Sequence, residues 1–290
     1  MKNGAGLAFV LTSLLLIGAA NTNADDTRSE QIIGSVKRAE QTTGIRPSGN
    51  FSKTDTRVVA YYRCYYTGTL ELPASYDSLK LRQGTKDGCS LNPAKYDVFF
   101  YPIEAVASGH VPVTQSLVTA APERVATVVP HEDFHSQIDG LPDQIAEAAA
   151  TLVGFIVGAA AVENQDAELF LKKANLINRY YDQLGDLYKS ARERKVSKRA
   201  ALEKKGFLFA ALQSECARIP GESRSFGKCV SAPNNAGLAF DYTYTKYYPL
   251  LYNVYSACKH DTRCTVQAIV NAPKKQSEPK VVSYFESLFR

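Results

Sequence analysis

The sequence has no tryptophan, and its only methionine is Met1. Histidine is nearly as scarce, with four residues in 290. No two of the six cysteines are spaced C-x-x-C, which leaves no sequence basis for a cysteine zinc cluster or a dithiol redox pair. No charge dominates either. The 34 lysines and arginines against 29 aspartates and glutamates leave +5, too small and too spread an excess to imply a nucleic-acid partner. Apolar runs long enough to cross a bilayer are also missing. The run Leu7–Ala20 is short for a span, and the 15 uncharged residues between Glu147 and Glu163 would reach only about 22 Å as a helix. The hydrocarbon core they would have to cross is about 30 Å thick. That second run reads as a helix buried on all sides in a protein core. No internal repeat is present.

What the chain does have begins with Lys2, the apolar run, and Asn21-Thr22-Asn23-Ala24 ahead of two aspartates. This is the layout of a secretory signal, with cleavage expected after Ala24 and Ala20 as the alternative. A secreted or periplasmic protein with no stable membrane span after signal removal is the expectation. The even set Cys64, Cys89, Cys216, Cys229, Cys258 and Cys264 suits disulfides in such a compartment. Of the fifteen connectivities open to six cysteines, neighbour pairing is the simplest, because each bridge then closes a local loop.

The fold class expected is α+β, a small β-rich N-terminal region packed on a mainly helical domain. Residues 25–57 read as a polar, loosely held arm with a short helix around Ile32–Ala39. Residues 58–121 read as the β-rich region. Val58–Tyr66 and Tyr96–Pro102 are rich in β-branched and aromatic residues, as strands are. Ser75–Leu81 could be a short helix or strand, and Val111–Thr119 reads as an edge strand that a peptide could extend. From 122 to 270 the pattern is helical. A helix from Glu123 to about Gln137 ends at a Gly-Leu-Pro turn, and a second runs from Asp143 to about Val162. Residues 164–205 continue as amphipathic helix, followed by Gly206–Ala217 and by Asn234–Tyr255 with Pro249 inside it. The tail from 271 to 290 reads as weakly ordered, apart from a short helix at Val281–Phe289.

The chemistry lies in His131-Glu132-Asp133-Phe134-His135. On a helix the two histidines of H-E-x-x-H stand one turn apart on one face. Both can then bond one zinc ion at about 2.0–2.1 Å. Glu132, one residue after the first histidine, can take a proton from the metal's water without binding the metal. Pro130 immediately precedes the motif, so the helix either starts near Val128 or kinks there, since an interior proline removes a hydrogen bond and clashes with the preceding turn. A third ligand is still needed. His110 and His260 are the only other histidines, so a carboxylate is favoured. Glu147 is the leading candidate because it opens an otherwise apolar helix, where burial of an unpaired carboxylate is costly and a metal removes the cost. Asp143 is the reserve.

This order of features resembles the gluzincin metallopeptidases, and more closely the bacterial "predicted aminopeptidase" family. That family has a glutamate helix of the form N-E-S-F-A-T-F-V after the motif. The matching stretch here is Ala146-Glu147-Ala148-Ala149-Ala150-Thr151-Leu152-Val153. A basic helix similar to the family's runs from Arg199 to Leu212. Asn234-Asn235-Ala236-Gly237-Leu238-Ala239, then Thr243-Tyr244 and Pro249, match its later segment. The likeness covers about residues 95–270, with Ala146 in place of the family's asparagine. It implies a zincin-like helical domain, one Zn2+ ion held by His131, His135 and Glu147, and Tyr244 facing the site as an oxyanion donor. Asn234 and Asn235 would hydrogen-bond a substrate backbone or cap a helix. The expected activity is hydrolysis of peptide or protein substrates, with aminopeptidase action taken from the family name alone. A contrasting expectation is an exported helical binding protein whose metal site is structural or inactive.

Overall fold

The computed structural model describes residues 22–105, 109–219, 226 and 228–289, with side chains from Thr27 onward. Most of the export segment expected at residues 1–24 lies outside the described residues. The N-terminal stretch is a 22-residue helix, α1 (Thr22–Thr43), in place of the loose arm expected from its polarity. Ser29, Ile33, Val36 and Glu40 are buried at helical spacing along it. Lys37 also ion-pairs with Asp133, a residue 96 positions later. The buried Ile33 and Val36 pack into a core with Val111, Leu117 and Val125, and Asp133 supplies the partner for the charged side chain beside them.

After the short β1 (Thr54–Asp55), β2 (Tyr61–Gly68) forms the middle of a three-stranded antiparallel sheet. A single 3-10 turn, Tyr76–Ser78, precedes β3 (Lys80–Gln83) on one side. β4 (Tyr96–Ile103) pairs on the other, with Tyr65 opposite Phe99. The segment expected to be one edge strand over Val111–Thr119 is not one. Only β5 (Val113–Thr114) is extended, paired in parallel with β1. Thr114 then accepts a hydrogen bond from the Leu117 N–H and caps α2 (Gln115–Val118), as threonine does at helix starts. Val111 and Val113 are 2% exposed, so their side chains belong to the core.

The helical body begins with α3 (Pro122–Ile138), which carries the histidine motif and continues through Pro130. Pro130 therefore lies well past the first turn. A turn with Gly140 in left-handed backbone, φ 85°, leads to α4 (Asp143–Gly158), buried along almost its whole length. The two helices pack backbone to backbone. A Cβ at Gly158 would stand 2.5 Å from the Ala126 carbonyl oxygen, and one at Gly154 would stand 2.8 Å from that of Thr127 and 3.3 Å from His131 Cβ. Pro130 has no N–H for the Ala126 carbonyl four residues back, and Gly158 is seated against that oxygen.

Residues 164–205 do not form one helix. α5 (Asp166–Arg192) ends before Arg194, whose φ is 58°, and α6 (Lys198–Cys216) starts at a Ser197 cap. α7 (Asn235–Thr245) and α8 (Tyr248–Ala257) are separate helices, with Pro249 tolerated in the first turn of α8. α9 (Thr262–Val270) and α10 (Glu278–Glu286) complete the body. α10 is docked rather than loose, because Val281 and Phe285 are fully buried. They join Phe134, Ile145, Leu152, Phe155, Leu251 and Ile269 in the core surrounding α4. The result is a mixed α/β chain, a small sheet beside a largely helical body. The disulfides are Cys64–Cys89, Cys216–Cys229 and Cys258–Cys264, all between neighbours. Three such bridges fit an oxidising compartment. Among the described residues, no helix is long and apolar enough to cross a membrane.

Candidate metal centre

The close α3–α4 contact sets the site. His131 and His135 lie one turn apart on α3, their Nε2 atoms 3.2 Å from each other. Glu147, one turn into α4, brings its Oε2 to 3.4 Å from His131 Nε2 and 3.7 Å from His135 Nε2. Two donors bonded at about 2.05 Å to one tetrahedral ion stand about 3.3 Å apart, so these separations are those of ligands to a shared ion. Glu147 Oε2 is buried and has no hydrogen-bond partner, an expensive arrangement unless a cation completes it. The donor set, two imidazoles and a carboxylate, suits a borderline divalent metal. His131, His135 and Glu147 could hold one metal ion. Asp143 is exposed at the start of α4 and is not part of that group.

In the metal-free chain two of the three donors, His135 and Glu147, are held in the deprotonated form that a metal requires, and His131 must give up a proton to join them. Burial lowers His135 to about 4, only partly opposed by the charge of Glu147. Burial pushes Glu147 up, but the close approach of His131 and the charges of His135 and His131 outweigh it, so its carboxyl stays below the ordinary range. Burial likewise works against protonated His131. The close approach of Glu147 and the charges of Glu132 and Glu147 overcome that and raise it. Glu132 is pushed up to about 7, chiefly by burial, with His131 pulling the other way and Glu147 adding to the rise. A carboxylate near 7 is matched to proton transfer at neutral pH.

These groups line a cavity of about 880 Å³. No family model, curated protein or solved structure matches the chain. The cavity's residues therefore have to be judged by what they touch.

Tyr244, on α7, lines the cavity with its ring centroid 6.3 Å from that of His131. Burial, with Glu147 close by, raises its hydroxyl well above the usual range, so it stays a donor. Asn234 and Asn235 are not brought to the site. Asn234 caps α7 by accepting from Gly237 N–H at 3.0 Å and donates to the Val98 carbonyl. Asn235 is fully buried. It donates to the Thr69 and Glu71 carbonyls and to Asp97, and accepts from the Tyr188 hydroxyl. Both asparagines bracket α7 to the sheet region, with their polar groups occupied by protein.

Several cavity residues carry no motif. Tyr76 donates to Glu147 Oε1 at 3.1 Å. Arg124, two turns before His131 on α3, donates to both oxygens of Glu104 at 3.2 and 2.9 Å and to the Tyr101 hydroxyl at 3.0 Å. Its charge opposes the rise at Glu132. At the other end of the cavity, buried Lys173 pairs with Asp241 at 2.9 Å. The spacing Arg124–His131–His135, seven residues and then four, is a one-face signal that could have marked Arg124. Nothing in the sequence marks Tyr76.

Proposed function

We propose that the chain is an exported zinc-dependent peptidase, and the observation that carries this reading is the unpartnered Glu147 Oε2 facing two histidine Nε2 atoms. His131, His135 and Glu147 would hold the ion. Zinc so held supplies Lewis acidity toward a peptide carbonyl and makes a water acidic enough to attack near neutral pH. Glu132 lines the same cavity, next to His131 in sequence. Its carboxylate takes the water's proton and delivers it to the leaving amine. The Tyr244 hydroxyl donates to the oxygen that gains charge as the carbonyl is attacked. The aromatic wall built from Tyr65, Tyr76, Tyr101 and Phe240 excludes water around that oxygen and strengthens the interaction. An extended peptide would lie along the outer edge of β3, the end strand of its sheet, whose Leu81 borders the cavity and is 52% exposed. Aminopeptidase action, with a zincin-like fold, is the finer form of the proposal and rests on the family likeness alone.

The test pairs metal analysis with digestion of a mixed peptide library read by mass spectrometry. Wild type should carry about one zinc per chain and cut the library. Glu132→Gln should keep the metal and lose about 10²–10⁴-fold in rate, the usual worth of a general base. Glu147→Ala should lose the metal. Hydrolysis unchanged in Glu132→Gln, or a wild type without zinc, would overturn the enzyme reading in favour of a binding protein.

A further inference from the structure

Tyr76 belongs to no motif, yet it is the sheet region's direct contact with the Glu147 carboxylate. Its 3-10 turn lies between β2 and β3, and its backbone N–H donates to Thr243 Oγ1 of α7 at 2.8 Å. Its ring stacks on Tyr244, with centroids 6.2 Å apart and an interplanar angle of 27°, and it also meets Tyr65 and Phe240. Wedged in this way, its hydroxyl reaches Glu147 Oε1.

We infer that Tyr76 is a positioning residue of the metal centre, holding Glu147 Oε1 so that Glu147 ligates through Oε2 alone. The inference rests on the metal reading above. The two oxygens of a glutamate are chemically equivalent, and the last torsion of its side chain is broad. A free Glu147 could present either oxygen, or both, to an ion. The Tyr76 hydroxyl breaks this equivalence by occupying Oε1, and Oε2 is left without any other partner beside the two histidines. A one-oxygen glutamate leaves the fourth position of a tetrahedral ion open for water, as catalysis requires. A two-oxygen glutamate would crowd that position. Outer partners of this kind are typically worth 10–100-fold in metal affinity.

Tyr76→Phe removes the hydroxyl and keeps the stacked ring. Tyr62→Phe is the control, taking a hydroxyl from the same sheet at a ring that stacks on Phe100 outside the cavity. The metal-free full chain of each would be titrated with Co2+ against a chelator while the visible spectrum is recorded. Tyr76→Phe should bind Co2+ about 10–100-fold more weakly. Its absorption should fall toward that of a higher-coordinate ion as the second carboxylate oxygen joins in. Tyr62→Phe should match wild type in both. Wild-type affinity and spectrum in Tyr76→Phe, or equal losses in both variants, would overturn the inference while leaving the metal centre standing. A folded wild type that binds no Co2+ would instead remove the metal reading, and this inference with it.

Discussion

Two helix pairs in this molecule meet in different ways. α5 and α6 meet through large side chains, among them Ile177, Tyr180, Leu184 and Tyr188 against Phe209 and Leu212. α3 and α4 share Phe134, Ile138, Ile145 and Leu152 in a core, but at the C-terminal half of α4 they meet main chain to main chain, with Gly154 and Gly158 resting on the Thr127 and Ala126 carbonyls. The first pair carries none of the three donor atoms, and the second carries all of them. Large side chains fill space well, but they can repack, and a small change in one moves the helix axes. Main chain resting on main chain has no such freedom. The protein rests helix main chain on helix main chain where the distances between donors must be held to a few tenths of an ångström.

Substitutions at glycine should separate the two pairs by sign. At the α3–α4 pair, Gly158→Val would drive side-chain atoms into the Ala126 carbonyl and should cost about 3 kcal/mol in urea denaturation, the upper end of ordinary overpacking. Gly154→Ala should cost about 1–3 kcal/mol. It should also weaken metal binding, because the added methyl presses on Thr127 and His131 Cβ. Neither loss would be seen if α3 and α4 could move apart freely, and the comparison would then break.

A pH-dependent effect is expected where α1 meets α3. Glu40 is 2% exposed and lies beside Asp133 and Lys37. Burial, reinforced by the Asp133 charge and only partly relieved by Lys37, raises its carboxyl from 4.5 to about 8. The folded chain therefore keeps a proton that the unfolded chain has lost. Stability contributed at this position falls as pH rises from about 4.5 to about 8 and changes no further above that. Glu40→Gln should raise the melting temperature at pH 8.5 and leave it nearly unchanged at pH 4, read by calorimetry. An equal shift at both values would mean that Glu40 is already ionised in the folded chain.

The smallest effect belongs to the exposed face of α6, away from its contact with α5, and it has the opposite sign to the losses at Gly158 and Gly154. Gly206 lies within α6, and a methyl group added there would meet nothing inside 4 Å. Gly206→Ala should stabilise by about 0.5–1 kcal/mol in the same urea denaturation, the helix preference of alanine over glycine.

The α3–α4 pair is also the part that the sequence announces. His131, His135 and Glu147 sit within 17 positions, and their chemistry is written in spacing and in the apolar run after Glu147. Neighbour disulfides are legible for the same reason: each closes locally. What stayed hidden depends on distant partners. α1 looks like an arm because its overall composition is polar, and its buried face, Ile33 and Val36 between Ser29 and Glu40, is narrow and meets partners far along the chain, Val111, Leu117 and Asp133. Tyr76 is one of 17 tyrosines, distinguished only by a turn that delivers it to Glu147. Val111–Thr119 has the composition of a strand, but the Thr114 side chain offers the backbone a cap instead. Asn234 and Asn235 look like ligand-binding residues by likeness, and their partners at Thr69, Glu71, Asp97 and Val98 come from the sheet region.

The separation between Tyr76 and its partners bears on the order in which the chain folds. The histidines and Glu147 can meet once a single helical hairpin closes, a local event with little loop entropy to overcome. The Tyr76 hydroxyl must cross 71 residues to reach Glu147, and its backbone N–H 167 to reach Thr243. On these separations the donor set is the part favoured to assemble first, and the Tyr76 contact that orients it is the part favoured to come last.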